Sequence, residues 1–266
     1  MSENIKDQLV QDTLDESRRL EDFLNNNLLL KFCDLHNINR DHSKLHLKQE
    51  IVAKRGFFFN VKKRYALHVV NQEGREVDEI DFKGIVNRRS DYPSYTKECI
   101  LKLLDMVLIE DPIPFDKIYS YIGEIREKMV QLCLKGDSSI AKPVSYAKDD
   151  SEYKLNPSHI MGMKLWNDLE YEYFVHGTKG YQYRFFGVDV SKCPDKILKN
   201  LHLITKKNNY IVVPYEEDGL PEYYNIDLDY CVKFCWDDRV NEILKPVLKR
   251  VNKERSKFDE IELSNW

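Results

Sequence analysis

The densest chemistry in this 266-residue chain is electrostatic. Lys54, Arg55, Lys62, Lys63 and Arg64 put five cations into residues 54–64 with no acid among them. The whole chain carries 41 Lys and Arg against 45 Asp and Glu, a formal net charge of −4. That balance excludes a uniformly basic nucleic-acid binder but not a local basic patch on an acidic body. A merely solvated face mixes its signs, so a one-signed run in such a chain suits an anionic partner. A second basic element, Asn87-Arg88-Arg89-Ser90, follows soon after. On composition alone these residues support a phosphate-binding hairpin. The competing reading is a solvated face or a patch that caps the fold.

The carboxylates and thiols carry less. Asp227-Leu228-Asp229 has the spacing at which two strand aspartates point the same way, as metal chelation requires. It stands just ahead of a helical pattern and far from any second acidic motif, so we read it as a helix lead-in. Asp149-Asp150 is read the same way. Glu50 shares a polar face with His46 and Lys48, and by itself reads as an exposed strand carboxylate. His159 stands alone, with no partner to mark it as a catalyst. The six cysteines are scattered. Cys231 and Cys235 lie four apart without histidines or further cysteines nearby, so no zinc site is expected. Buried thiols in a reducing cytosol are the simpler expectation.

The elements that must position these residues change character along the chain. Val10, Leu14, Leu24 and Leu28 recur at helical spacing, with acids early and Lys31 late, and predict one long amphipathic helix over 10–35. Leu45, Leu47 and Ile51 alternate with Lys44, His46, Lys48 and Glu50, the period of a half-buried strand. Residues 65–70 are rich in strand formers, Asn71-Gln72-Glu73-Gly74 predicts a hairpin turn, and Val77, Ile80 and Phe82 return. Two helices follow over 96–109 and 115–134, separated by Asp111-Pro112-Ile113-Pro114. A short helix is expected over 156–170 with Pro157 in its first turn, then an aromatic, strand-poor stretch over 171–230. Its aromatics at 171–186 are expected in the core more than on single-stranded bases. A last helix over 237–251 contains Pro246, which should kink it. No apolar run reaches the roughly 18 residues of a membrane span, and the N-terminus has no signal-like apolar segment. A soluble cytoplasmic protein is expected.

The order of motifs adds a resemblance. Gly56-Phe57-Phe58-Phe59-Asn60-Val61-Lys62-Lys63-Arg64-Tyr65-Ala66, a hydrophobic strand and turn, then Phe82-Lys83-Gly84-Ile85-Val86-Asn87-Arg88-Arg89-Ser90-Asp91, resembles the segment that ends the palm of family-B DNA polymerases. Val144-Ser145-Tyr146-Ala147-Lys148, Glu152-Tyr153-Lys154 and Pro157-Ser158-His159-Ile160 with Lys164 resemble the thumb stretch in which a Tyr-Lys pair precedes a Pro-x-His helix. The stretch from Asp229-Tyr230 through Arg239-Val240 to Pro246-Val247 resembles the closing thumb helix. The four blocks stand in family order over residues 10–251 and are nearest in character to viral and phage members.

The resemblance implies an α+β fold: a partial antiparallel palm sheet with a packed helix (1–95), then a mainly helical thumb (96–266). It implies that Lys62, Lys63, Arg64 and Tyr65 form a strand along the nascent duplex. Arg88, Arg89 and Ser90 would hold the primer backbone; Lys148, Lys154 and His159 would hold duplex phosphates; Glu50 would lie near the bound metal. In the family an Asp-Thr-Asp turn precedes the first helix, and none does so here. The exonuclease, the fingers and both catalytic palm motifs are therefore expected on a separate N-terminal polypeptide. No catalytic or metal-binding residue is expected in this chain, with Mg2+ bound only in the assembled enzyme. Expected partners are that polypeptide and primer-template duplex, with a sliding clamp as a further candidate and no membrane. A stand-alone duplex-binding or regulatory protein derived from a polymerase is the rival reading, and a fragment of an ordinary polymerase a third.

Overall fold

No proline or glycine interrupts residues 3–35, and the chain is helical throughout. The computed structural model describes residues 3–59, 61–85, 92–148, 157–171, 173–204 and 209–249. Helix α1 (Glu3–Phe23) passes through a π-helical turn at Leu24–Leu28 into α2 (Leu29–Leu35). The turn contains Asn25-Asn26-Asn27, weak helix formers whose side chains compete for backbone groups. The helix ends where Asn37 takes φ +54° and Ile38 N donates 2.8 Å to Cys33 O, a left-handed asparagine cap.

The strand expected over residues 44–50 does not form; β1 starts only at Ile51. Alternation in the sequence does not supply a neighbouring strand to bond the backbone. Here helix side chains take that role. Asn25 Nδ2 donates to Leu47 O (2.7 Å), Leu47 N donates to Asn25 Oδ1 (2.8 Å), and Gln49 N donates to Glu21 Oε2 (3.0 Å). Leu45 and Leu47 remain 58% and 46% exposed, so the alternation does not mark a covered face.

Strands β1 (Ile51–Phe58), β2 (Tyr65–Gln72) and β3 (Arg75–Lys83) form an antiparallel sheet in sequence order. The β2–β3 turn sits at Glu73 and Gly74, both at positive φ (+52° and +86°), as the favoured two-residue hairpin requires. Phe57 and Ala66 pair across β1 and β2 on the buried face.

Helix α3 (Ser94–Leu108) and helix α4 (Phe115–Leu134) lie where their periodicity places them. The strand-poor expectation for 171–230 is overturned. Strands β4 (Lys142–Ser145), β5 (Lys179–Val188), β6 (Tyr210–Pro214) and β7 (Tyr224–Ile226) form a second antiparallel sheet, with β7 also on β5. Tyr181-Gln182-Tyr183-Arg184-Phe185 in β5 alternates aromatic and polar residues, the period of a strand on a pleated surface, and carried the signal that the aromatic reading passed over. Between these strands lie α5 (Ser158–Trp166), with Pro157 just before its first residue, and α6 (Asp195–Lys199). Helix α7 (Leu228–Val232) runs through a π turn (Lys233–Asp237) into helical residues 238–249, continuing past Pro246. The fold class is α+β, with both sheets antiparallel.

The chain divides into two compact units: residues 1–85 with 107–111, and residues 86–106 with 112–266. Among the described residues no helix is long and apolar enough to cross a membrane.

Candidate nucleic-acid interface

The β1–β2 hairpin has one buried face and one open face, and the register assigns residues to each. Phe58 pairs with Tyr65 and Gly56 with Leu67, so these four share the face opposite Phe57 and Ala66. Phe58 is 67% exposed, its ring centroid 5.9 Å from that of Tyr65, and Lys83 Nζ on β3 lies 5.9 Å from the Tyr65 ring centroid. A Cβ on Gly56 would meet Leu67 Cδ2 and Phe58 Cε2 at 2.9 Å each, so a larger residue there would push these two side chains aside. The result is an aromatic surface flanked by cations, a combination that accepts both bases and phosphates.

The basic cluster is placed differently from the expected strand. Lys62 and Lys63 stand on the turn between β1 and β2, and of the four residues Lys62, Lys63, Arg64 and Tyr65 only Tyr65 belongs to β2. Lys63 has φ +62°, and Phe59 N donates to Arg64 O (3.1 Å) across the turn. A left-handed residue reverses the chain here, which a periodicity argument cannot see. Lys62 and Lys63 are exposed and Arg64 half-buried, and among the described residues no acid pairs with any of the three.

The run of five cations therefore splits. Lys54 Nζ pairs with Asp7 Oδ1 (2.9 Å). Arg55 pairs with Asp111 (2.7 Å) and donates to Glu110 O (2.6 Å). These two secure the fold, whereas the turn cations have no acidic partner among the described residues. Within the same sheet, the buried His68 ring is 2.6 Å from Asp78, and that hydrogen bond holds the Asp78 carboxyl below its ordinary range.

The other expected site residues are dispersed. Arg88, Arg89, Ser90 and Lys154 lie outside the described residues, as do Asp149 and Asp150. Lys148 is exposed beyond β4. His159 is half-buried in the first turn of α5, where burial and then the Lys142 charge hold its ring below its ordinary pKa. Glu50 is exposed and belongs to no strand; its backbone oxygen accepts from Glu73 N at 2.8 Å. Asp227 caps α7 by accepting from Tyr230 N (3.1 Å) and pairs with Arg184 (3.2 Å), so it is a helix lead-in. Phe174, Tyr183 and Phe185 are core, whereas Phe186 is 76% exposed. Among the described residues no three His, Cys, Asp or Glu side chains gather where they could hold a metal ion.

Two features escaped the sequence reading. Phe58 and Lys83 join the open face through strand register; the Phe57-Phe58-Phe59 run already placed neighbours on opposite faces and could have pointed to Phe58. In the second unit, Arg184 lies 4.5 Å from the Tyr230 ring and 5.8 Å from Tyr210, and Arg239 lies 5.3 Å from Phe234 and 4.6 Å from Tyr92. Tyr230 and Phe234 stack at 6.2 Å, completing a ladder of rings and guanidinium groups. Burial pushes the Tyr230 phenol up to about 12. Its parts come from four places in the sequence, and no spacing reveals it.

The fold is similar to part of a family B DNA polymerase. The solved structure concerned, the family B DNA polymerase from the hyperthermophilic archaeon Pyrobaculum calidifontis, superposes with a TM-score of 0.50 at 18% identity. The match covers 85% of this chain and 24% of that one, so this chain spans about a quarter of that polymerase's length. No protein-family model matches the chain. No curated protein matches it in sequence.

Proposed function

We propose that this chain is the C-terminal palm-and-thumb part of a family-B DNA polymerase, of viral or phage character, that grips primer-template duplex. The observation that carries the reading is the β1–β2 turn, whose cations are unpaired among the described residues beside the open Phe58–Tyr65 face. Its setting in a polymerase-like fold supports the reading. Lys62, Lys63 and Arg64 neutralise backbone phosphates and position the duplex without reading its sequence. Contacts to primer or duplex phosphates are also assigned to Arg88, Arg89, Ser90, Lys148, Lys154 and His159. Residues 1–95 act as palm and 96–266 as thumb.

The nucleotidyl transfer belongs to a partner polypeptide carrying the exonuclease, the fingers and the catalytic aspartates. Those aspartates would hold Mg2+, which would supply charge stabilisation for the transfer. The described residues of this chain offer no such carboxylate cluster, and Glu50 is at most an accessory acid beside the partner's site. A sliding clamp is a further partner, and the complex works in the cytoplasm.

Primer extension and duplex binding test the reading together. The purified chain should bind duplex with an affinity that falls steeply with salt, and extend no primer whatever divalent metal is supplied. Extension by the chain alone would refute the division of labour; binding indifferent to salt would refute the grip.

A further inference from the structure

We propose that Gly84 is a positioning residue that holds the Lys62–Lys63 turn in place. The inference has its own structural basis, and its meaning for DNA rests on the reading above. Gly84 follows the last residue of β3 at φ +65°, a backbone state that side chains strain. A Cβ added there would fall inside 3.0 Å of the Lys63 carbonyl oxygen and at 3.2 Å from the Lys63 carbonyl carbon. Both are backbone atoms and cannot swing away as a side-chain tip would. Lys63 itself sits at φ +62°. Two left-handed residues, one on the turn and one beyond the neighbouring strand, are thus packed backbone to backbone. The Tyr65–Lys83 pair beside them ends the β2–β3 ladder. The absence of a side chain at 84 sets where the cations of residues 62 and 63 stand.

Gly74 is an internal control. It also has positive φ (+86°), on the β2–β3 turn, but a Cβ there meets nothing within 4 Å. Gly84→Ala and Gly74→Ala therefore share the conformational strain and differ in the collision with the Lys63 backbone and the close contact with Arg64 Cγ at 3.3 Å. Both should lower the melting temperature, and only Gly84→Ala should move the turn.

The test measures the two variants in the full chain by limited trypsin digestion with mapped cuts, and by salt titration of duplex binding. Trypsin should cut after Lys62 and Lys63 roughly tenfold faster in Gly84→Ala, tracking the opened population of the turn. Gly74→Ala should match the wild type there. The slope of log affinity against log salt should fall in Gly84→Ala by about 0.9 for each phosphate the turn no longer neutralises, and stay unchanged in Gly74→Ala. Equal cutting in both variants, or an equal slope change in both, overturns the proposal. If the wild type shows no salt-dependent duplex binding, the polymerase reading fails while the digestion still decides the latch. If Gly84→Ala does not fold, the wild type decides. A latched turn resists trypsin at Lys62 and Lys63 more than at Lys192, which is exposed on the loop after β5. Equal cutting at these sites refutes the latch.

Discussion

The two units differ in where their largest side chains are enclosed and in how their cations are paired. In the second unit, Trp236, Tyr183, Phe185, Ile100, Leu103 and Ile118 are almost completely buried, and every one of the largest fully buried side chains belongs to it. Its Arg184 and Arg239 are held against aromatic rings and paired with Asp227 and Glu242. The first unit leaves Leu20, Phe23, Leu28, Phe32 and Leu35 exposed along one helical run, and leaves Lys62 and Lys63 without acidic partners among the described residues. An exposed apolar stripe and cations without acidic neighbours are surface features of the kind that the proposed partners would cover.

The largest effect expected from this contrast is on assembly. Leu28→Glu should abolish association with the proposed partner polypeptide, because a charge in a closing apolar interface has no counter-ion. Leu28 is already half in water, so the variant should melt like the wild type when alone. Co-purification and size-exclusion of the two chains measure the first; calorimetry measures the second. Retained assembly would mean that the stripe is not an interface.

Next in size is core stability. Trp236→Ala removes a ring fully enclosed in the second unit, whose Nε1 donates to Ile122 O at 3.2 Å. It should cost about 3–5 kcal/mol, against about 0.5 kcal/mol or less for Leu28→Ala. Denaturant unfolding of each variant checks this, and equal losses would erase the distinction between the units.

The charge contrast is tested by salt. Replacing Lys62, Lys63 and Arg64 with alanine should flatten the salt dependence of duplex binding by about 0.9 per phosphate left without its cation, alike for all sequences. Arg239→Ala should leave that slope unchanged, since its guanidinium is already occupied. Weaker affinity at constant slope in the triple variant would make the turn structural instead.

The smallest effect concerns pH. His159 has its folded pKa held below 6.5 by burial and the Lys142 charge. The unfolded chain therefore takes up this proton first, and stability should fall as pH drops through 6.5 toward the lower folded value. Above 6.5 the ring is neutral in both states and contributes nothing. His159→Gln should flatten that part of the pH–stability curve, measured by urea unfolding between pH 8 and pH 5; an unchanged curve would assign the loss to other groups.

Local patterns were readable where the physics is local. The first helix, the β2–β3 turn at Glu73 and Gly74, and helices α3 and α4 follow from periodicity and turn chemistry. The strand predicted over 44–50 failed because its backbone partners, Asn25 and Glu21, lie more than twenty residues away and belong to a helix. The second sheet was missed although Tyr181-Gln182-Tyr183-Arg184-Phe185 alternates, because the residues that pair with β5 lie 25 or more positions away along the chain.

By itself the sequence determined the helical periods, the β2–β3 turn and the presence of a cationic run, since each depends on neighbours a few residues apart. Only the tertiary structure decided which of those cations are paired. Folding brings Asp7 to Lys54 and Asp111 to Arg55, while Lys62 and Lys63 are turned outward beside Gly84. Charge is a property of residues, but its neutralisation depends on distances of a few ångströms, which the chain acquires only when segments far apart in sequence meet.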